Sequence, residues 1–447
     1  MDESLLETLP LVFNQLIANK TSQERKNIAG LFCNLGSLLW QLPLSNYHLN
    51  IEISLVIYQL TLKVFTRGVF PKEWAMAQNN IANIYIARIR GERAENIEKA
   101  ISAYRLALQV RTRDTFPQDW AMTQNNLANA YTDRIQGEKA ENIEKAISAY
   151  KLALQVRTRD TFPQDWAGTQ NNLANAYIKR IKGEREQNIE KAIVGHELAL
   201  QVYTRETFPQ DWAWTQGIRA SAQLAQFELI KKTKYLDEAI TALQAALDIV
   251  IPKTDTYITI NYALARALDH RYKLNRQPEY LEQAILSYHL AAENTPWESH
   301  RANYLEKAGD SQYELGVALT QSGQWYKGLA ALEAGLKTYR QVDNRLARGD
   351  AIQQMARTHY LMGNFDQART YFRDALRLYL AEKNVIGEAH SRAGLGRLFL
   401  RLNYIEDALQ ELERACELYR QLEDETRLKE IQDVYQLARK VKEKQPL

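Results

Sequence analysis

The chain has 447 residues, of which 45% are apolar and 25% charged, a composition that excludes wholesale disorder. Its 57 basic residues nearly balance 54 acidic ones, and a net charge of +3 gives no general reason to expect nucleic acid or an anionic membrane as partner. The two cysteines, Cys33 and Cys416, exclude a disulfide framework and suit a reducing cytoplasm.

In chain order, the start Met1-Asp2-Glu3-Ser4 lacks the basic residues of a signal peptide, and no uncharged apolar run is long enough to span a bilayer. A cytoplasmic protein is expected. Residues 3–19 form an amphipathic segment inside an expected capping helix at 1–21. A divergent helix pair follows from residue 22, its second helix beginning near Ile51. A block then recurs at a spacing of 46: Phe70-Pro71-Lys72-Glu73-Trp74 returns as Phe116 to Trp120, Phe162 to Trp166 and Phe208 to Trp212. Residues 70–115 and 116–161 agree at 36 of 46 positions, and 116–161 and 162–207 agree at 33. A fixed period of this length means one supersecondary unit stacked on copies of itself.

Within residues 116–161, Trp120, Gln124, Leu127 and Tyr131 fall on one stripe of a helix over 120–136, with Ala128 beside them. Pro117 suits its opening turn and Asp119 the positive end of its dipole. Gly137 supplies a left-handed stop, and Asn142 reads as the N-cap of a second helix with the stripe Ile143, Ala146, Tyr150, Ala153 and Leu154. No sustained period-2 alternation occurs, so strands are not expected. The four tryptophans lie on the inward stripe and read as inter-repeat core. Second-helix entries recur at Ile97, Ile143, Ile189, Leu236, Leu281, Trp325, Phe365 and Ile405, with small partners such as Ala100, Ala146, Ala239, Ala368 and Ala408. Counting the one near Ile51, nine second helices are expected. Their spacing drifts from 46 to 40, so long repeats are expected over 22–252 and shorter ones over 253–420. Residues 421–447 then cap the stack with a polar outer face.

Over roughly residues 22–420 the chain resembles the tetratricopeptide repeat family. The residues that carry the likeness are Leu127, Ala128, Tyr131, Ala146, Tyr150 and Ala153, and more cleanly Leu395, Gly396, Phe399, Ala408, Leu412 and Ala415. The 40-residue units are similar to those of kinesin light chains and bacterial peptide-sensing regulators. The 46-residue units are similar to bacterial arrays often attached to a caspase-like protease or an NTPase domain. The resemblance implies an all-α fold, a right-handed α-solenoid (superhelix) of stacked helix–turn–helix repeats with capping helices, whose first helices line a concave groove. It also implies that asparagines on successive first helices clamp a peptide main chain. The chain departs from the carboxylate-clamp subtype, having Trp214, Gly217 and Ile218 where that subtype places Lys and Arg.

Opposite the Trp120 stripe lie Asn125 and Asn129, matched by Asn79 and Asn83 one repeat earlier and by Asn171 and Asn175 one repeat later. Asn80, Asn126 and Asn172 run beside them. Asparagine is a mediocre helix former, so something must compensate. One reading is a ladder of amides that pairs with the backbone of an extended peptide. The other is bonding between repeats, or simple copying by duplication, and internal repetition does not separate them. Further along, Asp310, Tyr313 and Glu314 give way to Gln353 and Arg357, then to His390, Arg397 and Arg401. Arg357 and Arg397 could bind an acidic segment or pair with neighbouring carboxylates. No phosphate-binding loop or metal-ligand spacing occurs among the seven histidines, and His196, in the slot of Tyr104 and Tyr150, reads as a core substitution. Cys33 reads as packing. Asp310 and Glu314 at i and i+4 support only a remote alternative, a helical hydrolase.

The expectation is a non-catalytic scaffold or adaptor without cofactor or metal that binds a protein or peptide partner in its groove. The alternative is a regulator that changes curvature on binding a peptide and controls a separate effector. Self-association is left open.

Overall fold

A computed structural model describes residues 3–41 and 46–444, so Met1, Asp2 and the end of the expected C-terminal cap at 445–447 lie outside it. The described residues form helices joined by turns, without strands. They pack as two compact units, Met1–Lys232 and Thr233–Leu447. The expected change of repeat length at 252/253 is a boundary of a different kind.

The first unit holds α1 (Ser4–Ile17), α2 (Ser22–Gln41), α3 (Tyr47–Thr61), α4 (Pro71–Ala87), α5 (Arg93–Ala107), α6 (Pro117–Thr132), α7 (Lys139–Ala153), α8 (Pro163–Lys179), α9 (Arg185–Leu200) and α10 (Pro209–Ile230). The second holds α11 (Thr233–Leu247), α12 (Asp255–Asn275), α13 (Pro278–Asn294), α14 (Glu298–Gln321), α15 (Trp325–Gln341), α16 (Arg345–Leu361), α17 (Phe365–Ala381), α18 (Val385–Arg401), α19 (Ile405–Gln421) and α20 (Glu425–Lys444). Each unit is an all-α helical-repeat solenoid in which helix pairs stack on their neighbours. All nine expected second-helix entries fall in α3, α5, α7, α9, α11, α13, α15, α17 and α19.

Local chemistry explains the boundaries. Pro71, Pro117, Pro163 and Pro209 each open a first helix, and the phenylalanine before each is kept out of the helical region, with φ of −132° to −142° and ψ of +64° to +67°. The turn between helices closes through Gly137 at φ +76°, with Gly91 and Gly183 alike. Asn142, expected as an N-cap, sits instead inside α7, behind Glu138. Its buried amide donates to the Gln136 carbonyl at 2.8 Å and accepts from Arg134 at 3.2 Å, so it staples the turn rather than the helix end. In the shorter repeats the second unit uses side-chain caps, Asn344 on Ala347 N–H at 3.0 Å and Asn384 on Gly387 N–H at 2.9 Å.

The recurring alanines are where paired helices approach most closely, and Ala100, Ala146, Ala239, Ala368 and Ala408 have no exposed surface. Second-helix tyrosines Tyr58, Tyr104 and Tyr150 fill the space beside them. The tryptophans differ from expectation. Trp74, Trp120, Trp166 and Trp212 are only half-buried, at the margin of the core. Trp166 and Trp212 flank Tyr203 and Phe208, and Arg205 lies 5.9 Å from the Trp212 ring. They sit at the helix entrance, where the stack's edge meets solvent. At the N-terminal end α1 buries Phe13 completely. At the other end α20 buries Leu428, Ile431 and Ala438 and turns its lysines outward.

Candidate functional site

In the first unit the nine asparagines divide into three roles. Asn79, Asn125 and Asn171 are buried. Asn79 accepts from Thr123 of the next first helix at 3.2 Å, and that Thr123 in turn accepts from buried Arg111 at 2.9 Å. Asn171 donates to Thr215 at 2.8 Å and meets His196 Nδ1 at 3.0 Å. These amides bond between helices and leave no surface for a ligand. Asn80, Asn126 and Asn172 are half-buried and reach backward, to Tyr58 Oη at 3.0 Å, Asn83 Oδ1 at 3.3 Å and Asn125 Oδ1 at 3.4 Å. The outermost set is Asn83, Asn129 and Asn175. Tyr104 and Tyr150 donate to Asn83 and Asn129 at 2.6 and 2.5 Å, so each keeps its amide N–H2 for another partner. Asn175 lacks such a tyrosine because His196 occupies the slot, and it has no side-chain partner among the described residues. His196 is fully buried, and burial with Arg219 nearby pushes its pKa down to about 3, so it packs as a neutral ring. Burial likewise pushes the Cys33 thiol up to about 11, which keeps it protonated and unreactive at neutral pH.

In the second unit the first helices line two cavities. The larger, about 810 Å³, lies across α16, α18 and α20. Arg357 and Arg397 enter it from successive first helices, joined by Arg427 and Thr426 of α20, over a floor that includes Leu361, Phe372 and Ile431. Arg397 stands 3.7 Å from Glu430 and Arg427 pairs with Asp424 at 2.6 Å. Arg357 is exposed and has no hydrogen-bond or ion-pair partner among the described residues. His390, beside the Tyr419 ring, is pushed down to about 4 by burial and by Arg427 and Arg357, so it is neutral at pH 7, and its buried Nε2 has no partner.

The second cavity, about 610 Å³, is lined by Asp269, Asp310, Glu314 and Asp350 with Lys273, Arg276 and Lys307. Each aspartate receives a second-helix tyrosine: Tyr288 on Asp269 at 2.8 Å, Tyr339 on Asp310 at 3.0 Å and Tyr379 on Asp350 at 2.6 Å. Burial raises the pKa of Asp269 and Asp350 against the effect of those bonds. Asp310 is also held by Lys307 at 3.0 Å, while Glu314 is exposed without a partner among the described residues. No group of three or more metal-ligating side chains occurs among the described residues, and none of their helices is long and apolar enough to cross a membrane.

Arg357 and Arg397 thus line one cavity, and Arg401 is not among the residues lining it. Arg427 is missed by a reading that treats the last helix as a cap. The signal was present, since α20 begins 40 residues after α18 and continues the first-helix register.

These stacked pairs define a helical-repeat solenoid. Tetratricopeptide-repeat models match residues 74–114 and 120–160, and again 308–381 and 351–421. The chain carries tetratricopeptide repeats over those residues. No curated protein matches the sequence. Among solved structures, the C-terminal part of a TPR repeat-containing protein from Cytophaga hutchinsonii is 13% identical, over 68% of this chain and 95% of that one, with a TM-score of 0.42. A signal-transduction ATPase with a tetratricopeptide repeat sensor from Pyrococcus horikoshii is 12% identical, over 97% of this chain and 62% of that one, at 0.34. A Rap protein complexed with competence and sporulation factor is 12% identical, over 83% and 98%, at 0.32.

Proposed function

We propose that the chain is a non-catalytic interaction scaffold that holds an extended peptide segment of a protein partner across its first helices. The observation that carries this reading is Arg357, an exposed guanidinium without an ion pair, facing the same cavity as Arg397 from the next repeat. An unspent fork donor beside an apolar floor suits a carboxylate flanked by an apolar residue. In the first unit, taken by itself, the outward amides of Asn83, Asn129 and Asn175 would bond a segment's main chain, with Asn80, Asn126 and Asn172 holding them in place. Asn79, Asn125 and Asn171 belong to the stack.

The test is a photo-crosslinking residue placed at Leu361 in the cavity and, separately, at Tyr326, which is exposed on a second helix. Crosslinks to a linear segment of a captured protein should form at Leu361 and be lost in Arg357→Ala/Arg397→Ala. Crosslinking confined to Tyr326 would reverse the assignment of the binding face. A regulatory variant of this reading is favoured by one observation, that α20 supplies Thr426, Arg427 and Ile431 to the cavity, so a bound segment would touch the last helix directly.

A further inference from the structure

Three successive first helices in the second unit share a 40-residue register, and one face, nine of whose twelve residues line the cavities (Val317, Gln354 and Gly387 do not), changes charge by one step per repeat. In α14 the positions are Lys307, Asp310, Glu314 and Val317, a sum of −1. In α16 the same positions are Ala347, Asp350, Gln354 and Arg357, a sum of zero. In α18 they are Gly387, His390, Gly394 and Arg397, a sum of +1 with His390 neutral. The spacing of three, seven and ten places the four on one side of a helix. The two charges at the ends of this series that have least to neutralise them are Glu314, without a partner, and Arg397, held only loosely by Glu430 at 3.7 Å. Arg427 adds a further positive group from α20.

The sign changes along α16, which gives Asp350 to the acidic cavity and Arg357 to the basic one, and Tyr313 of α14 lines the acidic cavity near both charges. Gly394 lines the basic cavity, and a Cβ there would stand 2.4 Å from the Phe372 ring, which lines it too, so a side chain at this position would displace the ring.

Resting on the peptide-holding reading above, we propose that this face is a dipolar groove that orients its ligand. It takes an extended peptide with a basic residue over the Asp310–Glu314 end and an acidic residue over the Arg357–Arg397 end. Packed helices lie about 10 Å apart, so one step from α14 to α16 is about three residues of extended chain and two steps to α18 about six. The cation and the anion of the ligand are therefore about three to six residues apart. Charge, rather than chain direction, sets which end lies where, because opposite potentials attract one arrangement and repel the other.

The experiment is selection of a random dodecapeptide library displayed on phage, against the whole protein and against Arg357→Glu/Arg397→Glu. Against the wild type, enriched peptides should pair a Lys or Arg with an Asp or Glu at that separation, in either chain order. Against the double variant the acidic member should disappear in favour of a second basic one. Synthetic peptides of the first class should bind the double variant at least about tenfold more weakly, and peptides of the second class should show the reverse preference. Enrichment of peptides without this charge pattern, displaced by one another and unaffected by the double substitution, would overturn the dipolar groove and leave a peptide-holding scaffold standing. Absence of any enrichment would overturn both.

Discussion

Tyr379 offers a test of how tightly the second unit is packed. Its ring is 1% exposed and wedged between two helices at their glycines. A Cβ added at Gly387 would stand 2.3 to 2.5 Å from three of its ring carbons, and one at Gly349 would stand 2.8 Å from the same ring. The ring therefore has no free side to move toward. To restore ordinary contact it must shift by about 1 Å, which also strains its hydrogen bonds to Asp350 at 2.6 Å and Gln353 at 3.0 Å. Overpacking of this kind costs about 1–3 kcal/mol, and a weakened bond to a carboxylate adds about 1 kcal/mol. The gain in helix propensity from Gly to Ala returns about 1 kcal/mol, so Gly387→Ala should lose about 2 kcal/mol net. Gly30→Ala is the control, because nothing lies within 4 Å of its Cβ in α2, and it should gain up to about 1 kcal/mol. Two units need not unfold together, so hydrogen exchange of α16 to α18 is the proper readout beside denaturant melts. A Gly387→Ala protein as well protected there as wild type would refute the account.

Other outcomes follow from the first unit. Asn171→Ala removes a buried amide from Thr215 and His196 and should cost about 2 kcal/mol by denaturant unfolding, whereas Asn175→Ala should stay within about 0.5 kcal/mol. His196 has a folded-state pKa pushed down to about 3, below its unfolded value. The unfolded chain thus binds its proton first, and stability should fall from near pH 6.5 toward pH 3 at up to about 1.4 kcal/mol per pH unit from this residue alone. His196→Tyr, restoring the residue of Tyr104 and Tyr150, should remove that slope and supply a donor to Asn175. Glu98 and Glu144 are held below the usual carboxylate range by bonds from Arg134 and Arg180. Their contribution is present at neutral pH and is lost as pH falls below about 4, and Arg134→Ala with Arg180→Ala should flatten the acid limb of the melting-temperature profile. Half-buried Trp212→Ala should cost roughly 2 kcal/mol, less than a fully buried tryptophan would.

The helix pairs were legible in the sequence because the period, the Phe-Pro entries and the buried alanines all encode the same unit. The asparagines were not, because a first helix in a stack touches its partner helix and neighbours on both sides. Its buried arc is then so wide that Asn79 and Asn80, about 100° apart around the helix, have different environments that no stripe of apolar residues marks. The same width explains why Thr123 and Asn125 are core residues despite their polarity. The positions of Arg357 and Arg397 on successive first helices, α16 and α18, followed from the stripe opposite the apolar one. Arg427 was not legible, because polar composition made α20 read as a lid, although its backbone continues the series.

The long repeats have one further consequence. Arg88, Arg134 and Arg180 each grip a glutamate 36 positions earlier, Glu52, Glu98 and Glu144, by two bonds of 2.6 to 3.0 Å. Arg67, Arg113 and Arg159 each reach a glutamine 42 positions later, Gln109, Gln155 and Gln201. Excising residues 116–161 would deliver Arg180 to Glu98 and Gln201 to Arg113, so every clasp at the new junction would already exist. Removing or adding whole multiples of 46 residues would therefore carry both kinds of clasp across the new junction.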